Sequence, residues 1–217
     1  FTRGMLDFAQ GRHGEALAHY EAADDAFSGW PLVWEHMAEV HQAEGRLFLA
    51  EALYRRVVQL TESPSAMTML ALCVDADEAA YWLRRAEALH RRDLELLPEA
   101  SAGHALDYFL HHGDPAEALD LAIRNHGLRP GGEATVKFAQ ALCNDGAWAL
   151  AAARLDRLHA TMPFRSPESL ATASLAYAQH GAAARAADPD AAANPTHPPP
   201  LSLAACTGPA PPPPPDS

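Results

Sequence analysis

Lysine is almost absent from this sequence of 217 residues: Lys137 is the single lysine, and arginine supplies the remaining positive charge. The formal net charge is −12, which argues against a general nucleic-acid binder, since such a protein needs a basic face. The acidic excess also disfavours docking on anionic membranes, and no stretch approaches the ~18 consecutive apolar residues of a membrane span. We therefore expect neither nucleic-acid binding nor membrane insertion.

Cysteine and the common catalytic motifs are scarce as well. The three cysteines, Cys73, Cys143 and Cys206, are odd in number and form no CxxC pair, so the sequence predicts neither a zinc site nor a disulfide framework. His36 and His41 are five residues apart, which turns their rings away from each other on a helix and disfavours a metal site. No G-x-S-x-G, P-loop or dinucleotide fingerprint is present. We expect a non-catalytic protein without a cofactor.

The sequence starts with FTRGMLDFAQ, which contains neither an initiator methionine nor the apolar core of a signal peptide. This start predicts that the sequence begins inside a longer protein. We expect a cytoplasmic location, and a periplasmic one stays open if a leader has been removed. The surplus of alanine, and of arginine over lysine, indicates a bacterial genome composition.

A repeated pattern connects GRHGEALAHY at 11–20 with GRLFLAEALY at 45–54, 34 residues further on. Both stretches open with Gly-Arg, close with Tyr and place an Ala four residues before that Tyr. Alanines at similar intervals extend the series, namely Ala16, Ala50, Ala79, Ala118 and Ala151. Most are followed by a larger side chain four residues later, and the positions four and seven residues after each alanine share its helix face. The period predicts a helical repeat.

Glycines and capping residues divide each repeat into two helices. Four glycines lie five residues before their alanines and are predicted to end helices in the left-handed conformation: Gly11, Gly45, Gly113 and Gly146. Asp114 is expected to cap a helix, with Glu117 completing a capping box. The third repeat lacks the glycine and offers Asp75 as its cap, while Ser63 and Ser166, each before a proline, mark further helix starts.

These features resemble the tetratricopeptide repeat family, whose pattern is W-x2-L-G-x2-Y…A-x3-F…P over ~34 residues. The second repeat carries the fullest match, with Trp34, Ala50 and Tyr54 at the Trp, Ala and Phe positions. In the first repeat Gly4 falls on the glycine of the family. Asn125 departs from the pattern, because a small apolar residue is expected at its position.

The resemblance covers residues 1–181 and implies an all-α, right-handed helical-repeat solenoid of about five tetratricopeptide-like helix pairs. Beyond this domain the composition changes to Ala and Pro, and residues 182–217 are predicted to form a disordered tail. The proline run at 211–215 is a candidate polyproline ligand, although a plain linker or tail is favoured.

The resemblance also implies a binding surface, because the first helix of each repeat lines a concave groove in this family. Counting along the family pattern assigns ten groove residues: Glu35, His36, Glu39 and Gln42 in the second repeat, His104, Asp107 and His111 in the fourth, and Lys137, Gln140 and Asn144 in the fifth. The subgroup that grips chaperone C-termini with Lys, Asn and Arg is disfavoured, since Phe1, Met5 and His36 take the first of those positions. An equal interpretation is that the ten residues only keep an exposed face hydrated.

An acidic groove that carries histidines suits a basic or neutral peptide, with some sensitivity to pH. The sequence thus predicts a scaffold or adaptor that binds a protein or peptide partner. Two alternatives stay open. The repeats are the helical portion of a larger enzyme or of a secretion or assembly component, or they form a self-associating module, a homo-oligomer joined through its first helix.

Two other charged motifs receive structural interpretations. Arg84, Arg85, Arg91 and Arg92 are interleaved with acidic residues, which predicts a solvated, salt-bridged face. His111 and His112 end a predicted helix, where a partial positive charge interacts favourably with the helix dipole.

Overall fold

The computed structural model describes residues 1–162 and 165–180, which form eleven α-helices and no β-strand. The helices are α1 Thr2–Ala9, α2 His13–Ala26, α3 Pro31–Ala43, α4 Leu47–Leu60, α5 Pro64–Ala71, α6 Ala76–Leu96, α7 Pro98–His112, α8 Pro115–Leu128, α9 Gly132–Asn144, α10 Trp148–Thr161 and α11 Pro167–Gln179. They form five consecutive pairs, from α1 with α2 to α9 with α10, and α11 follows. The predicted all-α solenoid of about five helix pairs is confirmed, whereas the predicted tail at 182–217 lies outside the described residues.

Each helix packs mainly against its neighbours in the chain, as expected for a quasi-one-dimensional repeat array. We call α1, α3, α5, α7, α9 and α11 the first helices of their repeats. From α5 onward the first helices also contact one another: α5 packs on α7, α7 on α9, and α9 on α11. The helices α5, α7, α9 and α11 therefore form one layer. We use the word groove for the exposed face of the first helices, and we include α3 in it. No helix in the described ranges combines the length and apolarity needed to cross a membrane.

The recurring alanines lie in the core of the array. All five are buried: Ala16, Ala50, Ala79, Ala118 and Ala151. Four residues later in the first and second repeats, Tyr20 and Tyr54 are both 0% exposed. The period seen in the sequence is therefore the period of the core, and burial of these side chains is its main stabilisation.

The helix-ending glycines fulfil the prediction at three of four positions. Gly11, Gly45 and Gly146 have φ values of 73°, 74° and 79°. Gly113 does not adopt this conformation, since its φ is −100° and its ψ is −177°, so the prediction was wrong there. Space explains the residue instead, because a Cβ on Gly113 would lie 2.3 Å from Cδ1 and 3.0 Å from Cα of Phe109.

The predicted caps form, but the capping box does not close as expected. Asp114 Oδ1 accepts the backbone N–H groups of Ala116 and Glu117 at 2.9 and 3.2 Å. The Glu117 carboxylate accepts the guanidinium of Arg91 at 2.6 and 3.1 Å. This fork joins two second helices, α6 and α8, and an equivalent fork between Arg55 and Glu78 joins α4 to α6 at 2.6 and 2.8 Å.

The arginines of α6 lie on a salt-bridged face, as predicted. Arg91 pairs with Glu87 and Glu117, while Arg85 and Arg92 both reach Glu62 at 3.5 Å. Three of the four arginines, Arg85, Arg91 and Arg92, thus pair with carboxylates of α6 itself, of α8 and of the segment between α4 and α5.

One histidine is enclosed between α6 and α7. His90 is 2% exposed, and its ring centroid lies 5.3 Å from that of Tyr108. Burial lowers the pKa of His90 to about 4, although the charges of Asp93 and Asp107 act in the opposite direction. The folded protein therefore holds His90 neutral at pH 7. Burial likewise lowers the pKa of His112, so the positive charge expected at the end of α7 is disfavoured there.

We predict that the protein loses stability as the pH falls from about 6.5 towards about 4. In this window the unfolded chain protonates His90 and the folded chain does not, so the unfolded state binds more protons and the free energy of unfolding decreases with falling pH. The expected contribution is about 1 kcal/mol per pH unit. Urea unfolding at several pH values measures it.

His90→Leu is expected to reduce this slope. His41, His112 and His159 contribute with the same sign because burial lowers their pKa values too, and the raised pKa of Glu35 acts in the opposite direction. His180→Leu, at an exposed position, serves as the control. Equal slopes for the two variants would contradict the role assigned to His90.

Candidate binding groove

The ten predicted groove residues all lie on first helices, but the structure distributes them over separate sites. Glu35, His36, Glu39 and Gln42 belong to α3, at one end of the array. Those of α7 and α9 surround three clefts towards the other end: one lined by His104, Asp107 and Lys137, one by Lys137 and Gln140, and a smaller one by His111, Gln140 and Asn144.

On α3, a histidine and a glutamate form a close pair. His36 Nδ1 lies 2.7 Å from Glu39 Oε2, with 19% and 32% of the two side chains exposed. The His36 ring stacks on Tyr20 at 5.6 Å between centroids and lies 5.2 Å from Phe1. The imidazole is therefore held between aromatic rings on one side and a carboxylate on the other.

Charge and burial compete at this pair. Burial lowers the pKa of His36, but the hydrogen bond to Glu39 and the charges of Glu39 and Glu35 together raise it above 6.5. Burial and the charge of Glu39 raise the pKa of Glu35 above 4.5. Within the described ranges Glu35 forms no salt bridge, so it is a half-buried carboxylate with little cationic compensation.

Two predicted groove residues have structural hydrogen bonds. Gln42 is 4% exposed, and its Oε1 accepts the hydroxyl of Tyr54 at 3.2 Å. Asn144 donates Nδ2 to the carbonyl of Leu110 at 2.7 Å and so joins α9 to α7. Gln42 therefore lies in the floor beneath the groove, and Asn144 helps to fix the spacing of two first helices.

Lys137 on α9 forms ion pairs with two carboxylates. Its Nζ lies 2.7 Å from Asp107 Oδ1 on α7 and 2.8 Å from Glu133 Oε1. Burial lowers the pKa of Lys137, yet the two carboxylates outweigh this effect and raise it above 10.5. Sequence reasoning omitted Glu133, although its position four residues before Lys137 on the same helix is a recognisable ion-pair signal.

Clefts of about 360 and 430 Å³ flank α9. The larger one lies between α9, α10 and α11, and its apolar side chains include Val136, Leu158 and Met162. The smaller one lies between α7, the end of α8 and the start of α9 and is lined mainly by polar groups. Because both depend on contacts between repeats, no local motif predicts them. The described residues contain no cluster of three His, Cys, Asp or Glu side chains suited to a metal ion.

We predict that Glu39→Gln lowers the pKa of His36. Removing the carboxylate removes the largest influence that stabilises the imidazolium, while the burial that disfavours it stays. An NMR titration of the histidine Cε1 protons measures the shift. Glu87→Gln on α6 is the matched control, and an unchanged His36 titration in Glu39→Gln would refute the pairing.

A second prediction concerns the ion pair across α7 and α9. Lys137→Met keeps most of the side-chain volume but leaves Asp107 without its cation. In a double-mutant cycle with Asp107→Asn, we expect a coupling free energy of about 0.5–1 kcal/mol in urea unfolding. Additive effects of the two substitutions would show that the contact contributes nothing to stability.

No family model matches the sequence, and no curated protein matches it. Among solved structures, the chain is similar to MamA MSR-1 C2, with 15% identity, a TM-score of 0.44, and coverage of 75% of this chain and 92% of that chain. It is also similar to the C-terminal part of a TPR repeat-containing protein from Cytophaga hutchinsonii, with 12% identity, a TM-score of 0.38, and coverage of 84% and 72%. A third similar structure contains the TPR-like repeats of a putative kinesin light chain from Podosopora anserina. It has 19% identity and a TM-score of 0.42, and the match covers 73% of this chain and 91% of that chain. These neighbours include tetratricopeptide repeat proteins, and the chain is similar to them in its paired helices.

Proposed function

We propose that this chain is a non-catalytic scaffold or adaptor that holds a peptide or helix of a protein partner in the groove. The observation that carries the proposal is the pair of clefts on either side of α9. Four of the predicted groove residues line them: His104, Asp107, Lys137 and Gln140. Concave spaces with a few polar groups at their rims are the usual form of a binding surface.

The two ends of the groove favour different side chains of the partner. At α3, Glu35 and Glu39 form an acidic surface that favours a basic residue. Between α9 and α11, the larger cleft offers Val136, Leu158 and Met162 to an apolar residue. A peptide with a cationic residue and an apolar anchor thus fits better than an acidic one. We also propose that the protein is located in the cytoplasm and that its partner is a protein, and neither a nucleic acid nor a membrane.

The pKa shifts in the groove support binding over catalysis. His36 and Lys137 both have raised pKa values because carboxylates lie beside them. Such shifts stabilise the charged forms and strengthen the ion pairs, whereas a general base has to be deprotonated near neutral pH. His36 is thus already paired with Glu39, and Lys137 with Asp107.

Cross-linking capture from native lysate, read by mass spectrometry, tests the proposal. The bait is the full chain, beside a Glu35→Gln/Glu39→Gln variant that alters charge with little change of shape. We expect a partner that the unaltered chain captures to be lost or strongly reduced with the variant, because the acidic end no longer attracts its cationic residue.

The matched control is Glu21→Gln/Glu95→Gln, which removes the same charge from exposed positions on second helices. This control is expected to keep the partner. If all three baits capture the same proteins in equal amounts, the acidic end of the groove takes no part in recognition.

A further inference from the structure

Ion pairs join consecutive second helices over the middle of the array. Arg55 on α4 pairs with Glu78 on α6, and Arg91 on α6 pairs with Glu117 on α8, both at 2.6 Å. All four side chains are partly exposed. The surface of the second helices in this part of the chain is therefore polar, and its charges are compensated.

At the junction between α8 and α10, apolar side chains take the corresponding positions. Arg55 lies five residues after the buried alanine of its helix, and Glu78 directly precedes the buried alanine of the next second helix. Counted in the same way, the positions on α8 and α10 are those of Ile123 and Leu150. These two side chains are 51% and 63% exposed. The junction thus presents apolar surface to solvent where the earlier repeats have an ion pair.

Two arginines of α10 lie on the same helix face as Leu150. Arg154 follows it by four residues and Arg157 by seven. The guanidinium of Arg154 lies 3.8 Å from the centroid of the Phe138 ring. In the described part of the chain, neither arginine forms a salt bridge with a carboxylate. Burial and the charge of Arg157 lower the pKa of Arg154, so a bound anion would stabilise this pair of cations.

The ring of Phe138 connects this part of α10 to α8. His126 on α8 lies against the same ring, with 5.7 Å between the centroids. Ile123 precedes His126 by three residues and therefore shares its helix face. Side chains of two second helices thus form one surface. We call it the α8–α10 patch, and it consists of Ile123, His126, Leu150, Arg154 and Arg157.

The carboxylates closest in sequence to the patch have partners of their own. Asp120 on α8 pairs with Arg124 at 3.9 Å. Asp156 on α10 accepts the hydroxyl of Tyr177 on α11. The two guanidinium groups of the patch are therefore not neutralised by these carboxylates. The net charge of the chain is −12, but screening at physiological salt limits its reach to about 8 Å, so the local cations dominate at the patch.

We propose that the α8–α10 patch binds an acidic segment of a protein partner. Carboxylates of the segment pair with Arg154 and Arg157, and an apolar side chain of the segment packs against Ile123 and Leu150. A guanidinium suits this role because it accommodates a carboxylate through two parallel hydrogen bonds. The patch lies on second helices and has the opposite charge to the acidic end of the groove, so it does not depend on the function proposed for the groove.

Fluorescence anisotropy of the full chain with a labelled peptide of repeated Leu-Glu-Glu units tests the proposal at physiological ionic strength. We expect saturable binding that weakens with added salt, because ion pairs contribute to it. A matched peptide with Gln in place of each Glu is expected to bind roughly tenfold more weakly or not at all. Equal binding of the two peptides, or the absence of saturation with the acidic one, would overturn the proposal.

Variants locate the binding site. Arg154→Gln is expected to weaken binding roughly tenfold, because it removes a charge-assisted hydrogen bond, whereas Arg154→Lys keeps the charge and should retain more of the affinity. Arg84→Gln makes the same charge change at an exposed position of α6 and should leave binding unchanged. Glu35→Gln/Glu39→Gln should also leave it unchanged, which separates this site from the groove. Equal weakening by Arg84→Gln and Arg154→Gln would show that the patch is not the site.

Sedimentation velocity of the protein alone, over a range of concentrations, tests a second copy of the chain as the occupant. We expect the sedimentation coefficient to be the same for the unaltered chain and for Arg154→Gln. Self-association that Arg154→Gln abolishes would assign the patch to contacts between copies and would overturn the assignment to a separate acidic partner.

Discussion

Close approach between a small residue and a large ring is the constraint on which the array depends. In the first repeat, a Cβ on Gly4 would lie 2.6 Å from Cε1 of Tyr20, so only glycine allows α1 to lie against that ring. The small residues Ala16 and Ala50 are fully buried in the same core clusters as Tyr20 and Tyr54. Once these contacts fix the spacing of the helices, the position of every exposed side chain in the groove follows.

The few cations of this acidic chain connect helices at specific positions. Arg55 and Arg91 each form a fork with a glutamate on the next second helix, and Lys137 connects two first helices. Exposed ion pairs contribute little to stability individually. Because the chain has few cations, however, a cation that pairs between repeats is not available to other carboxylates, and those carboxylates stay without a cationic partner. Glu35 is such a carboxylate, and the acidic end of the groove results from it.

The fold could be predicted from the sequence because its determinants are local and periodic. Alanine anchors, caps such as Asp114, and three of the four glycines each act within a few residues of their own position. The prediction for Gly113 was wrong because glycine is needed there for the close contact with Phe109, and the turn pattern carries no information about that contact.

Only part of the candidate groove could be predicted from the sequence, because its other features depend on contacts between residues that are distant in the chain. Counting along the repeat places Glu39 and Lys137 on first helices, but it does not distinguish them from Gln42, which is buried beneath the surface. It also does not foresee the clefts beside α9, because each cleft lies between three helices that belong to two successive repeats.

Since Glu39 and Asp107 already pair within the chain, a partner that binds either carboxylate has to exchange a contact and not merely add one. A cationic residue at α3 competes with His36 for Glu39, and one near α9 competes with Lys137 for Asp107. Such exchanges gain little net free energy, because one ion pair replaces another. Affinity in the groove must then come mainly from burying apolar surface in the larger cleft, while the charged positions determine which partners are accepted.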